Sequence, residues 1–595
     1  MPEDHLRTTY SKRVEKFHKA IRERTVLINY IALARFISLV ALVWFLVLGF
    51  RNQGIIFYVL SFLLIPVFLI LVGFHTRQEQ RREVFRQLKK INETELSCLD
   101  HSFLSLEEGT RHADPSHPWS HDLDIFGKGS IFQYLNRTAT LRGDYLLARL
   151  LTTEPEGIEL IETRQGILGD LKDRIDFRQS FTAYGRLINE KEEDPEEISR
   201  WLSALSYIQK NQWLFYLALL VSGISLTIIV AGFFEPSRFW YLLVLIVFNF
   251  TLLSPFVMRT NKYQAAISKK HQLLEGYAGL LKIIANTRFE QPDLTQNCET
   301  ARGGMKEVVI LSKLLNIFDQ RLNMLLGALL NGFFLFDFIM LKLLENWKQK
   351  NKTKIVEWIE LTGWTDAMIS LAGFAFNHPG YAVPEFSANQ HIFEAKGLGH
   401  PLIPDHKRVV NDIRIESEKI VVITGANLAG KSTYLRSLGI NTVLAYAGCP
   451  VCATRYTSGF MGLCSSMRTA DSLRDEESYF LAEIKKLQQI VQRMETGAPL
   501  IILLDEVLKG TNTTDKKRGS VGLIRRSLTY PIRCFIATHD LSLGKLEKEH
   551  PGEIVNYCFE SYIKGMELTF DYSIRKGIAT NMNASFLMKK MGIMD

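Results

Sequence analysis

Four apolar segments of about 20 residues each constrain this chain more than any other feature. They pair as 29–50 with 55–74 and as 213–234 with 239–258, and four residues separate the members of each pair. A helix rises 1.5 Å per residue, so about 20 residues cross a hydrocarbon core of about 30 Å. Two matched hairpins are too regular for buried core helices, and a signal peptide would be shorter and single. We therefore expect two transmembrane hairpins, over 29–75 and 213–258.

Basic residues flank the first hairpin at its open end. Seven lysines and arginines lie in the amino-terminal segment 1–28, six lie in 77–90, and each hairpin turn carries one arginine. Positive charge concentrates on cytoplasmic loops. We therefore predict a multi-pass protein of the cell (inner) membrane whose amino terminus and soluble regions are cytoplasmic. The lead-in from Lys12 to Arg24 could bind DNA, but its place beside a span favours anionic lipid headgroups.

The composition is that of a folded chain. Of 595 residues, 47% are hydrophobic and 23% are charged, which excludes a disordered chain. At about 150 residues per domain, the length allows three or four domains. Seven scattered cysteines give no disulfide pattern and fit a reducing compartment. The net charge of +8 is mild for this length, and part of it flanks the spans, so it is weak evidence for nucleic acid.

A glycine-rich segment at 424–433, the phosphate-loop segment, carries the strongest chemical signal. It follows a short apolar strand and precedes a helical stretch, and it reads G-x-x-x-x-G-K-[ST]. Glycines let backbone N–H groups close around phosphates, and the helix N-terminus adds positive potential. Lys431 is expected to reach the β- and γ-phosphates of ATP, and Ser432 to offer its hydroxyl to Mg²⁺. The predicted nucleotide-binding residues are Gly425, Ala426, Asn427, Leu428, Ala429, Gly430, Lys431, Ser432 and Thr433.

Two further strands are expected to end beside this segment. The apolar run 499–504 leads into Asp505 and Glu506, and the run 534–537 leads into Thr538 and His539. A carboxylate at a strand end can hold Mg²⁺ through water, and its neighbour can polarise the attacking water. We expect Asp505 to serve Mg²⁺, Glu506 to be the catalytic base, and His539 to sense the γ-phosphate.

A fifth apolar stretch, Leu322–Leu344, contains Asp337 and Lys342. A charge at the bilayer centre costs a few kcal/mol. A fifth crossing would also place the ATP-binding region outside the cell. The sequence therefore predicts a buried helix of the soluble part here.

The motifs TGANLAGKST, LLDEVLKGTNTTD and FIATHD occur in this order, and together they resemble the ATPase domain of the DNA mismatch-repair MutS family, a branch of the ABC-type ATPases. The segments 394–401 and 410–413 resemble the approach to its phosphate loop, and 577–579 resembles its closing segment. The segment 478–484 resembles the family's signature, whose serine, here Ser478, would contact nucleotide on a partner subunit. Upstream, 122–138 looks like the start of the helical core.

The resemblance implies an α/β P-loop NTPase (ABC-type) domain at 386–595 and an all-α MutS-core-like region at 96–208 and 260–385. It covers roughly 120–210 and 265–595. It also implies a head-to-tail homodimer that sandwiches ATP and Mg²⁺ and clamps DNA, with repair proteins as further partners.

The departures from the family pattern limit which of the family's properties can be expected of this chain. No segment offers the mismatch-reading domain, and Phe233-Phe234-Glu235 lies at a predicted membrane turn. Glu476 stands where the family has a glycine before the serine, and Leu508-Lys509 replaces a usual Gly-Arg. We therefore keep two alternatives without DNA: an ABC-type membrane ATPase acting on the envelope or on a membrane protein, and a nucleotide-switched scaffold.

Two other clusters are expected to be structural. Cys449 and Cys452 form a lone C-x-x-C without a second pair at zinc spacing. The segment holding His112, Asp114, His117 and His121 reads as a polar loop leading into the core.

Overall fold

The computed structural model describes residues 2–52, 54–188, 190–191, 200–203, 207–468, 479–564 and 567–580. Helices occupy the chain up to residue 377, and two β-sheets come after them. A mixed α/β region and a separate helical region are therefore both present, as the sequence predicts.

The first hairpin is longer than its apolar runs. Helix α1 (Pro2–Asn52) and helix α2 (Ile55–Leu99) are continuous and pack against each other. The apolar part of each exposes large side chains almost throughout. The basic lead-in is thus the amino-terminal half of a helix that continues into the apolar run.

Two basic residues of the lead-in form ion pairs within the protein. Arg7 lies about 33 Å along α1 from residue 29. It pairs with Asp100 at 2.7 Å, and Arg13 pairs with Asp176 at 2.7 Å. Both side chains are therefore paired with carboxylates elsewhere in the chain.

The helical core is built from short helices before the second hairpin and long ones after it. The short helices are α3 (Ile131–Leu135), α4 (Leu141–Thr152), α5 (Ile158–Lys172), α6 (Ile175–Gly185) and α7 (Tyr207–Lys210). The long helices are α10 (Val257–Ala285), α11 (Pro292–Asp319) and α13 (Phe336–Asn377). Short 3₁₀ turns occupy Thr110–His112, Pro236–Arg238, Ser254–Phe256, Gln320–Leu322 and Leu541–Lys545. One continuous apolar cluster joins this core to the β-sheets that follow it in the chain.

The second hairpin consists of α8 (Trp213–Phe234) and α9 (Phe239–Leu253). By length and composition, four helices of the described chain could cross a membrane, namely the two members of each hairpin. A pair of helices bent at 88° could count as a fifth span. Large apolar side chains exposed over such lengths are unsuited to water.

The prediction for Leu322–Leu344 is wrong. The stretch is not one buried helix: α12 (Met324–Phe334) ends at Leu335, where the chain bends by 88° into α13. Much of α12 is exposed, and its carboxyl end packs against the second hairpin. Asp337 pairs with Arg321 and Asn331 at the bend, and Lys342 donates a hydrogen bond to Gln209 Oε1 at 3.4 Å.

The α/β region contains two sheets. The smaller sheet has the order β1-β5-β2-β3, and the larger has the order β10-β9-β4-β8-β7-β6. The strands are β1 (Glu385–Ser387), β2 (Phe393–Leu398), β3 (Asn411–Ile415), β4 (Ile420–Gly425), β5 (Arg455–Gly459), β6 (Gly462–Ser466), β7 (Leu500–Asp505), β8 (Ile532–Thr538), β9 (Ile554–Lys564) and β10 (Glu567–Lys576). The helices are α14 (Lys431–Tyr446), α15 (Tyr479–Glu495), α16 (Thr513–Ser527) and α17 (Leu546–Glu549). Strands β4, β7 and β8 are buried and nearly all apolar, which is typical of a parallel sheet covered on both faces.

The segment 118–126 joins the helical core to the α/β region. Asp122 is fully buried and accepts hydrogen bonds from Ser465 Oγ at 2.7 Å and Lys486 Nζ at 2.6 Å. Leu123 packs so closely on α14 that a Cβ at Gly439 would lie 2.5 Å from it. The core is therefore seated on the helix that comes directly after the phosphate-loop segment.

Candidate functional site

The site lies at the carboxyl edge of the larger sheet. Strand β4 pairs with β8 in parallel with Thr424 opposite Thr538, and β7 pairs with β8 with Asp505 opposite Ala537. The residues at the ends of these three strands therefore meet at one edge, where open α/β sheets bind ligands.

The phosphate-loop segment curls tightly between β4 and α14. Gly425 has φ +152° and Gly430 has φ +104°, and a Cβ at Gly425 would lie 2.7 Å from the Phe559 carbonyl oxygen. Leu428, at φ +69°, adopts the left-handed conformation without being glycine. Only glycine fits at position 425, since both the backbone angle and the neighbouring carbonyl exclude a side chain.

Lys431 is folded back on this loop. Its Nζ donates hydrogen bonds to the carbonyl oxygens of Gly425 at 2.8 Å and Ala426 at 2.9 Å. Burial lowers the pKa of Lys431, and the negative charges of Glu506 and Asp505 partly offset that effect. The lysine thus lies between the loop and the two carboxylates, bound to weak neutral acceptors that a phosphate could replace.

Glu506 and His539 face each other across the edge. His539 Nδ1 and Glu506 Oε1 are 3.2 Å apart. Glu506 has φ +55°, and its N–H donates to the Ala537 carbonyl oxygen at 2.9 Å. Burial raises the pKa of Glu506, but the hydrogen bond and charge of His539, with Lys509 and Lys431 beyond, hold it below its usual range. The carboxylate is therefore ionised at neutral pH.

Glu483 fixes the loop after Glu506. The buried carboxylate accepts hydrogen bonds from the backbone N–H groups of Leu508 at 2.6 Å and Lys509 at 3.0 Å. Leu508 has φ +60°, which explains why a glycine suits this position and why the leucine costs backbone strain. Glu483 lies in the segment that resembles the family's signature. The backbone groups that it binds, however, belong to the same chain and not to a partner subunit.

A cavity of about 600 Å³ opens beside the loop. Lys431, Ser432, Thr433 and Glu506 line its polar end. Its other walls include Leu398, His400, Ile403, Val409, Phe559 and Tyr572. Burial lowers the pKa of His400 to about 4, so this ring is neutral at physiological pH. A polar end and an apolar, aromatic end match a nucleotide's phosphates and base in size and character.

Sequence reasoning missed the apolar end of this cavity. Phe559 lies on β9, Tyr572 on β10 and His400 after β2. These positions are far apart in the chain. No local pattern marks Phe559 or Tyr572, and His400 stands out only as part of the segment 394–401, which resembles the approach to the phosphate loop. The sheet order β10-β9-β4 places β9 beside the strand that leads into the loop and β10 next to β9, which brings Phe559 and Tyr572 to the loop.

The remaining predicted residues lie at the same edge or outside the described chain. Asp505 ends β7, and Ala426, Asn427 and Ala429 lie within the loop. Ser478 and Glu476 lie outside the described residues, so the role of Ser478 stays a hypothesis.

The cysteine and histidine clusters have structural surroundings. Cys449 and Cys452 are buried free thiols. His112 lies 2.6 Å from Asp144, and His117 lies 2.8 Å from the Thr152 carbonyl oxygen. Within the part of the chain that the structure describes, no group of three or more His, Cys, Asp or Glu residues is arranged to hold a metal ion.

Comparison with known proteins identifies the α/β region. The family described as MutS domain V matches residues 421–590. The DNA mismatch repair protein MutS of Chlorobium phaeovibrioides is 32% identical over 222 residues, covering 36% of this chain and 25% of that protein. MutS of Thermotoga maritima is 30% identical over 251 residues, covering 42% and 31%. The DNA mismatch repair protein MSH3 of Meyerozyma guilliermondii is 27% identical over 251 residues, covering 40% and 26%.

The matches extend over only part of each protein. The chain spans only about a quarter to a third of the length of these relatives. The similarity to the MutS family is therefore confirmed for the α/β region.

Proposed function

We propose that this chain is a membrane-anchored, MutS-like ATPase. One observation carries the proposal: Lys431 and Glu506 line one nucleotide-sized cavity together with the glycine loop, and His539 contacts Glu506, all inside the segment that matches MutS domain V. ATP would place its phosphates at the polar end of the cavity and its base among the apolar walls.

The residues also suit Mg²⁺. A hydroxyl (Ser432) and a carboxylate (Asp505) supply oxygen atoms, the ligands that Mg²⁺ prefers, and both lie at the edge where the phosphates would sit. The bound ion would neutralise phosphate charge. The protein's own contribution is to hold these two donors on a strand end and on the first turn of α14.

Hydrolysis would use each of these groups for a separate task. Lys431 exchanges its two carbonyl acceptors for phosphate oxygens. Glu506, ionised in this setting, accepts a proton from water as the water oxygen forms a bond to the γ-phosphorus. The bond from that phosphorus to the bridging oxygen breaks, which yields ADP and phosphate. His539 holds the Glu506 carboxylate in place and faces the departing phosphate.

The assembly we propose is a homodimer through the α/β regions. Ser478 of one copy would contact nucleotide on the other, with Glu476 in place of the usual glycine beside it. Hydrolysis would open this dimer, and the helical core seated on α14 would carry the movement.

DNA is the proposed ligand because the relatives are DNA mismatch repair proteins. The chain's charge adds little to that argument, since several basic residues pair within the protein. We propose that all soluble parts are cytoplasmic and that the two hairpins hold the protein in the inner membrane.

A second candidate function is a membrane ATPase or nucleotide-switched scaffold that acts on lipid or on a protein partner without DNA. The observation that favours it is the exposed apolar surface of four helices and their direct continuity with the core. Four spans without a polar substrate path argue against transport by the chain.

The experiment measures ATPase rate in nanodiscs at physiological salt. Homoduplex, mismatched and branched DNA are compared with no DNA, in neutral and in anionic lipid, and Glu506→Gln provides the background. Stimulation or salt-dependent binding by DNA supports the first function. A rate that responds to lipid but to no DNA overturns it in favour of the second.

A further inference from the structure

Helix α12 exposes an apolar surface that no part of the described protein covers. Met324 is 87% exposed and Leu325 is 77% exposed, and Leu322 and Leu329 are also exposed. The segment 322–334 contains no charged residue. A surface of this kind is stable in hydrocarbon and unfavourable in water.

The carboxyl end of α12 is capped by side chains of the second hairpin. Ser222 Oγ of α8 donates to the Phe334 carbonyl oxygen at 3.0 Å, and Ser225 Oγ donates to that of Phe333 at 2.5 Å. Asn249 Nδ2 of α9 donates to the Gly332 carbonyl oxygen at 2.7 Å. The last carbonyls of a helix lack partners within it, and in water the solvent would satisfy them. In hydrocarbon each unsatisfied carbonyl costs several kcal/mol, so protein groups must bind it.

These caps lie deep along the hairpin. Ser225 is about 18 Å from the start of α8, and Asn249 is about 15 Å from the start of α9, at 1.5 Å per residue. Ser225 and Asn249 are both fully buried. The end of α12 therefore meets the hairpin near the middle of its length.

The charges near α12 are neutralised at the bend. Arg321 donates two hydrogen bonds to the Asp337 carboxylate, at 2.9 and 2.7 Å. Asn331 Nδ2 donates to Asp337 Oδ1 at 3.0 Å, and its Oδ1 accepts from the Asp337 N–H. The Arg321 and Asp337 side chains are only 8% and 3% exposed. The cost that excludes an isolated charge from a bilayer does not apply to this enclosed pair.

We propose that α12 is a re-entrant half-helix: it enters the membrane beside the second hairpin, contacts lipid hydrocarbon with Met324, Leu325 and Leu329, and returns through α13 to the same side. This topology keeps the α/β region on the cytoplasmic side. The inference rests on the proposed membrane crossing of the second hairpin. We assign lipid as the partner of this surface of α12 because it continues the exposed surfaces of α8 and α9, which are equally apolar.

Single cysteines carrying a spin label test this in nanodiscs. The positions are Met324 and Leu325 on α12, with Leu220 of α8 as the membrane reference and Val356 of α13 as the aqueous reference; all four are exposed. The seven native cysteines are buried, so background labelling is low. We expect labels on α12 to collide with oxygen at least as often as with a water-soluble nickel chelate, as at Leu220→Cys.

The outcomes separate the two claims. If labels at 324 and 325 match Val356→Cys while Leu220→Cys is lipid-exposed, the re-entrant helix is refuted and the membrane hairpin stands. If Leu220→Cys is itself water-exposed, the second hairpin does not cross, and both claims fail. ATPase activity of each labelled protein, equal to that of the unlabelled chain, verifies that the fold is retained.

Discussion

At the scale of single residues, Asp366 is a buried carboxyl group at the joint between α13 and the core. Its Oδ2 accepts hydrogen bonds from the N–H of Ala139 at 2.9 Å and from the N–H and hydroxyl of Thr140, each at 2.8 Å. Its Oδ1 is buried without a hydrogen-bond partner. Burial raises the pKa of Asp366 to about 7, although these donors oppose the rise.

This pKa predicts a pH-dependent stability. The folded state binds a proton that the unfolded state has lost between about pH 4 and pH 7, so stability falls as pH rises through that window and is level above it. Asp366→Asn keeps an oxygen that accepts these hydrogen bonds but cannot ionise, so its stability should lose this dependence on pH. It should have a higher melting temperature than the wild type at pH 8. Asp366→Ala leaves the donors of Ala139 and Thr140 unpaired and should lose about 1–3 kcal/mol. Thermal melts in detergent at pH 5 and pH 8 measure both effects, and equal slopes for wild type and Asp366→Asn would refute the assignment.

Residues on local motifs were predictable, whereas residues placed by topology were not. Lys431 and Glu506 come after apolar strands in patterns that sequence alone exposes, and the sheet brings them to one edge. Phe559 and Tyr572 reach the same cavity only because β9 lies beside β4 and β10 pairs with β9. No spacing in the chain encodes that order.

At the scale of elements, two helical glycines make opposite predictions. Gly439 of α14 touches Leu123 of the core, whereas a Cβ on Gly522 of α16 would meet nothing within 4 Å. Gly439→Ala should push the core off α14, lowering the melting temperature and the ATPase rate. Gly522→Ala should stabilise by about 0.5–1 kcal/mol, since alanine is the better helix former and no atom obstructs it. Melting curves and ATPase rates of both variants check this, and a harmless Gly439→Ala would contradict the described joint.

The bend between α12 and α13 could not be predicted from the sequence. Composition identified the apolar stretch, and the charge of Asp337 within it led to the prediction of one buried helix. The pairing of Asp337 with Arg321, and the capping of α12 by Ser225 and Asn249, arise from tertiary contacts. The sequence alone does not identify these partners, so it does not predict the break in the apolar helix.

At the scale of the whole molecule, α13 is the direct link between the second hairpin and the α/β region. Its 42 residues span about 63 Å, and the joint around Asp366 lies about 45 Å along it from the bend at Leu335. There it packs on α4, and α4 packs on α14. A displacement of α14 at the nucleotide site would therefore be passed through α4 to α13.

This continuity predicts a response at α12 to nucleotide. A spin label at Met324→Cys should change its oxygen accessibility when ATP is added to the Glu506→Gln protein. Thr353 is an exposed position midway along α13. Thr353→Pro should kink the helix and abolish the change while ATP still binds, and Thr353→Ala should preserve it. A response that survives the proline would show that the signal takes another route.

The central claim is that Glu506 activates water at a membrane-anchored nucleotide site. Phosphate release by Glu506→Gln in nanodiscs, measured alongside ATP binding to the same preparation, tests it most directly. Glutamine keeps the shape and loses the base, so we expect hydrolysis to fall by about 10²–10⁴-fold while the ATP dissociation constant stays within about threefold of the wild type's. Hydrolysis at the wild-type rate with ATP bound would contradict the account.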